Sequence, residues 1–141
     1  MMFAVCLFLA FAGAAQLDEI KSEADPNRRA EMAVDAAGNE LNDARESWNG
    51  GDWTKTQVSL SQMKDAVELA DSSLEETGKQ PRNNHHYKTV EIKLRNLIRR
   101  VDAFRLEVDY EQREAVNAVE TRLQQVHDRI LDAVMTKRKR S

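Results

Sequence analysis

The side chains best placed to do chemistry are three histidines, a scatter of serines, paired acids and a run of bases. His85 and His86 are adjacent, and His127 stands far along the chain. Neighbouring residues on a helix point about 100° apart, so adjacent histidines converge poorly on one metal. A zinc centre needs three or four convergent ligands, and no two histidines here are spaced i, i+4. The expectation is exposed histidines beside a turn, with no metal.

Covalent catalysis needs a nucleophile, a base and an orienting group in one pocket. Ser59, Ser61, Ser72 and Ser73 lie among polar residues without a glycine-rich elbow. Glu75-Glu76 is an acid pair of the kind a charged surface carries anyway. Gly50-Gly51 lacks the following Lys-Ser or Lys-Thr of a phosphate-cradling loop. Neither an enzyme nor a cofactor is expected.

Binding is the other possibility. Lys79, Arg82, Lys88, Lys93, Arg95, Arg99, Arg100 and Arg105 form the most basic stretch, interrupted by Glu91 and Asp102. Arg95 and Arg99 share a helix face, so Lys88, Arg95 and Arg99 are the candidate anion-binding residues. Lys137, Arg138, Lys139 and Arg140 near the chain end are candidate membrane contacts, since each base near an anionic lipid surface contributes about 1 kcal/mol. The alternative for the tail is a solvated end that complements a helix C-terminus. Trp48 and Trp53 fall on apolar stripes either side of a turn, which favours packing. Exposed together, they would form a docking patch.

These residues need a scaffold, and composition limits its kind. The chain has 141 residues, 32% charged, with only 5 Gly and 2 Pro. That fits one domain made of long helices. The net charge of −3 is unevenly spread. Residues 1–76 carry 15 acids and 6 bases (net −9), and residues 77–141 carry 9 acids and 15 bases (net +6). An acidic half packed beside a basic half explains this, and an anion-binding basic half is the alternative.

Met1–Ala15 reads as a signal peptide: an apolar run from Phe3 to Phe11, then Ala12-Gly13-Ala14-Ala15. Cleavage would fall before Ala15 or before Gln16. No Lys or Arg precedes the run, but it is shorter than the ~20 residues of a spanning helix. The lone Cys6 lies too early for lipid attachment, so the mature chain would carry no thiol, disulfide or cysteine metal site. Export also makes nucleic acid an unexpected partner. The expected location is periplasmic or secreted.

Beyond a flexible lead at residues 16–25, Asp25-Pro26 has the form of a helix start. Four apolar stripes follow at spacings of three and four. The first is Ala30, Val34, Ala37, Leu41, Ala44 and Trp48, weakened by Gly38. The second, after the Asn49-Gly50-Gly51-Asp52 turn, is Trp53, Thr56, Leu60, Met63, Val67, Ala70 and Leu74. Gly78 and Pro81 mark the next break. The third is Tyr87, Val90, Leu94, Leu97, Val101, Phe104 and Val108, and the fourth is Val116, Val119, Leu123, Val126, Ile130 and Val134.

The last two stripes differ in phase by one residue. That predicts a tight turn near Asp109, with Asp109 and Gln112 as a capping box; the alternative is a stutter in one continuous helix. The predicted fold is all-α: an antiparallel four-helix bundle over 26–136, after a signal peptide (1–15) and before a basic tail (137–141).

Ala44, Trp48, Gly51-Asp52-Trp53 and Lys55 resemble the inter-helix junction of a tetratricopeptide repeat, without its 34-residue period. The wider chain resembles small exported bacterial helical proteins of unknown function. This resemblance is carried by Trp48-Asn49-Gly50-Gly51-Asp52-Trp53, Glu75-Glu76-Thr77-Gly78-Lys79, Pro81-Arg82, Glu91, Leu94-Arg95 and Leu97. It continues through Arg99-Arg100, Gln112-Arg113, Val126-His127 and Val134-Met135. It implies a periplasmic helical protein and brings no functional residue. The expected role is structural or protein-interacting in the cell envelope, with an unknown protein partner. Binding of anions or anionic membrane is the alternative, and the sequence leaves oligomeric state open.

Overall fold

The computed structural model describes residues 16–77 and 84–136, all of it helix and connecting turns. The expected signal peptide, Gly78, Pro81, Arg82 and the basic tail lie outside the described residues. Residues 16–21 form a short helix, α1. Four long helices follow: α2 (Pro26–Asn49), α3 (Trp53–Glu76), α4 (His85–Glu107) and α5 (Arg113–Thr136). A 3₁₀ turn, Tyr110–Gln112, precedes α5.

The helix starts follow local chemistry. The Asp25 carboxylate accepts from Asn27 N–H, and Pro26 occupies the first turn, where its missing donor costs nothing. Asp52 accepts from Lys55 N–H and opens α3. Gly51 makes the intervening turn possible with φ +78°, a region that penalises any side chain. Asn84 caps α4 by accepting from His86 N–H, and its amide donates to Asn27 Oδ1 at 2.8 Å.

All seven positions of the third stripe are buried, and the core positions of the other three stripes join them in one cluster. Trp48, Trp53 and Val134, at stripe ends, and Val119, inside the fourth stripe, are half-buried against it. The turn predicted near Asp109 is present: Val108 leaves the helix with extended backbone (ψ 161°). The capping box is not, because the Asp109 side chain makes no capping bond. Asp109 instead accepts from Gln112 N–H through its backbone carbonyl, which leaves no role for the carboxylate. Within the lead expected at residues 16–25, residues 16–21 are helical. Ile20 is 4% exposed within the core and Leu17 packs on it, because residues 16–21 become an amphipathic turn of helix.

Long-range pairs give the layout. Within the first hairpin, Trp48 meets Trp53 near the turn while Arg29 meets Ser73 at the far end, so α2 and α3 run antiparallel. Arg105 with Glu120 and Glu91 with His127 show the same for α4 and α5. Between hairpins the register differs. His86–Glu31, Lys93–Asp35 and Arg45–Glu107 join α2 to α4 at separations of 55, 58 and 62 residues. Glu68–Arg122 and Asp71–Arg129 join α3 to α5 at 54 and 58. A nearly constant offset means the same direction. The second hairpin therefore lies over the first with α4 along α2 and α5 along α3.

These seams use the uneven charge. In four of the five pairs the acid belongs to the first hairpin and the base or histidine to the second. The faces turned away from the seam keep what is left.

Candidate functional site

The outer side of the first hairpin carries a cleft of about 350 Å³. Glu40, Asp43, Glu46 and Asp52 line it, with Lys55 as the one base. Ser47, Ser59 and Gly50 keep its walls low. Glu40 is only 5% exposed. The Gln62 amide, turned with its nitrogen toward Glu40, donates to both carboxylate oxygens at 3.0 and 3.1 Å. Burial, and then the Asp43 charge, push the Glu40 carboxyl up to about 7. Burial, then Glu46, also raise Asp43. The recess concentrates negative potential and would favour a cationic side chain entering it.

Trp48 and Trp53 stand at the same end. Their rings meet edge to face, centroids 5.9 Å apart and planes at 84°, a favoured aromatic geometry. Both are half-buried against the core. In sequence they adjoin the cleft-lining residues Ser47 and Asp52, but neither lines the cleft itself.

The candidate anion-binding residues share one line. Lys88, Arg95 and Arg99 fall on the solvent face of α4, opposite its buried stripe. Lys88 and Arg99 make no ion pair with another described residue. Arg95 lies 3.4 Å from Glu91, one turn earlier. Ile92 occupies the same line, 38% exposed. Lys93 and Arg100, by contrast, turn toward α2 and contact Asp35 and Asn42. The candidate membrane contacts Lys137, Arg138, Lys139 and Arg140 follow directly on α5, outside the described residues.

The histidines depart from expectation. The His85 and His86 rings lie 3.9 Å apart, tilted by 36°, a ring contact rather than a shared metal geometry. His86 Nδ1 then meets Glu31 Oε2 at 2.8 Å. His127 is buried rather than exposed, against Glu91. Its neighbours Val126 and Ile130 pull that edge of α5 into the core, and Glu91 supplies the polar partner burial requires. Among the described residues no group of three or more His, Cys, Asp or Glu could hold a metal ion. No described helix is long and apolar enough to cross a membrane.

Sequence reasoning missed the buried polar residues. Arg29 Nε donates to Ser73 Oγ at 2.8 Å, its Nη1 to the Glu23 carbonyl at 3.0 Å, and it pairs with Glu76. Asp71 is buried beside Arg129; desolvation raises its carboxyl, with the Arg129 charge opposing. On α2, Arg29 and Glu40 are buried in register with Ala33 and Ala36, at helical spacings of four, three and four. Comparison with protein-family models, with characterised proteins and with solved structures finds no match.

Proposed function

We propose that this chain is an exported, non-enzymatic interaction protein of the cell envelope. It would fold, once a signal peptide is removed, as an antiparallel four-helix bundle built from two stacked hairpins. The acidic cleft beside the Trp48–Trp53 pair is the observation that favours an interaction role. A mainly acidic recess lies at the same end of the hairpin as half-buried aromatics, and such aromatics are favoured interface anchors. A cationic segment of a partner protein suits it best. Residues 1–15, with their apolar run and small-residue end, support export.

Crosslinked co-purification of a tagged, exported copy tests this reading. A partner captured by the native chain and lost with Asp43→Lys/Glu46→Lys supports it. A tagged copy that stays unprocessed in the cytoplasm, or capture indifferent to both substitutions, overturns it.

A second reading, binding of an anion or anionic membrane surface through the basic half, is favoured by the line of Lys88, Arg95 and Arg99. Two of these bases are left without a partner among the described residues.

A further inference from the structure

We propose that the groove between α2 and α4 around Arg100 binds a carboxylate, supplied by a small acid or by the C-terminus of a peptide. The proposal rests neither on the acidic cleft nor on the line of Lys88, Arg95 and Arg99.

Four polar rungs cross this seam: His86–Glu31, Lys93–Asp35, Arg100–Asn42 and Arg45–Glu107. Three of them set an acid against a base or a histidine. The Arg100 rung does not, because its Nη2 donates to the amide oxygen of Asn42 at 2.5 Å. Its separation of 58 residues equals that of the Lys93–Asp35 rung. Arg100 therefore holds a regular place in the ladder and meets a neutral side chain there. No carboxylate among the described residues pairs with it. The acids on either side along the seam are committed. Asp35 holds Lys93 through both oxygens, at 2.9 and 3.1 Å, and Glu107 holds Arg45 at 2.7 Å. Asp43 and Glu46 of α2 line the acidic cleft shared with α3 instead, and Asp102 of α4 pairs with Arg105. Within the groove, Lys93 and Arg100 face Asp35 alone, so one positive charge is left over.

Space and donors lie beside that charge. The groove holds about 380 Å³, and Gly38, Asn39, Asn42 and Asn96 form much of its wall. A Cβ at Gly38 would sit 3.5 Å from Arg100 Nη1, so the glycine keeps open the space next to the guanidinium. Arg100 Nη1 and Nε have no acceptor among the described residues, and the Asn39 and Asn96 amides have no partner there. A planar guanidinium fork matches a planar carboxylate. The asparagine amides add neutral N–H donors, and their oxygens can accept from a hydroxyl or a peptide N–H next to it. One leftover charge suits a monoanion. A phosphate dianion would call on a second base, and Lys93 is held by Asp35.

Titration of the purified full chain with sodium acetate, at neutral pH and constant ionic strength, is the test. The side-chain N–H signals of Arg100, Asn39 and Asn96 are followed by NMR. A saturable shift centred on these groups is expected. Arg100→Gln weakens binding about tenfold or more, because a charge-assisted hydrogen bond is lost. Arg100→Lys keeps the charge without the fork and also weakens it. Asn39→Ala/Asn96→Ala, on the exposed rim, weakens it several-fold with the helical spectrum unchanged, and this variant carries the test if Arg100→Gln fails to fold. Lys88→Gln/Arg99→Gln leaves the affinity unchanged.

An acetylated alanine tripeptide with a free C-terminus, run beside its C-terminal amide, separates the two sources. Tighter binding of the free form than of acetate, with none of the amide, assigns the site to a peptide terminus. Acetate binding at least as tightly assigns it to a small acid. Both results support the proposal. It is overturned if neither acetate nor the free tripeptide gives a saturable shift, or if Lys88→Gln/Arg99→Gln abolishes binding as fully as Arg100→Gln. Tighter binding of inorganic phosphate at the same signals overturns it too. None of these outcomes bears on the acidic cleft, whose Asp43 and Glu46 lie outside this groove.

Discussion

Glu91 Oε1 and His127 Nε2 meet at 3.0 Å across the α4–α5 seam, with side chains only 11% and 9% exposed. A carboxylate oxygen accepts, so this contact is a hydrogen bond when the imidazole proton sits on Nε2. Removing the ring leaves the carboxylate buried with Arg95 at 3.4 Å as its remaining partner. His127→Ala is expected to cost about 2–4 kcal/mol, because it combines a cavity with an under-paired buried charge. Urea unfolding checks this, and an unshifted midpoint would show that the seam does not depend on the pair.

Glu40 makes the stability depend on pH in a definite direction. Its carboxyl is raised in the fold from 4.5 to about 7, so it costs nothing at a pH below 4.5, where folded and unfolded states are both protonated. The cost grows as pH climbs from 4.5 to about 7 and is complete above that. Glu40→Gln is therefore expected to stabilise the chain at pH 8 and to do little at pH 4. Equal gains at both values, from thermal melts, would refute the assignment.

Two glycines should answer substitution in opposite ways. A Cβ at Gly38 would sit 3.5 Å from Arg100 Nη1, an ordinary contact, inside a regular helix. Gly38→Ala is expected to stabilise by about 1 kcal/mol. Gly51 has open space around it but φ +78°, so Gly51→Ala is expected to destabilise by about 1 kcal/mol through the backbone alone. Denaturant midpoints moving the same way for both would contradict this.

Asn84 does two jobs at the start of α4, accepting from His86 N–H at 3.0 Å and donating to Asn27 Oδ1 at 2.8 Å. Asn84→Ala removes a cap and a tie between hairpins. A loss of about 1–2 kcal/mol is expected, and Asn84→Asp should keep the cap but not the tie. Hydrogen exchange of the first-turn amides separates the two effects: faster exchange in the Ala variant only.

The helices and their buried faces were legible because apolar side chains settle burial by themselves. Tyr87 through Val108 needed nothing beyond spacing, and the phase slip after Val108 located the turn. The polar interior was not legible. Arg29, Asp71 and His127 become tolerable inside only through Ser73, Arg129 and Glu91, which lie 44, 58 and 36 residues away. Periodicity holds no information about such partners. The charge imbalance did anticipate the seams between hairpins, where Lys93 finds Asp35 and Arg122 finds Glu68. The acidic cleft went unread because Glu40 and Asp52 share a wall only once α2 folds back on α3. Lys88, Arg95 and Arg99 were aligned by spacing alone.

The acid-on-base seams also make the two halves of the chain addressable to each other. A nick between Thr77 and Asn84 would release fragments of opposite sign, given net −9 over residues 1–76 and +6 over residues 77–141. Opposite charge accelerates diffusional encounter and loses that advantage as electrolyte rises. Separately produced fragments would thus reassemble without a covalent link, quickly in dilute buffer and slowly in brine. That is the behaviour wanted of a split reporter.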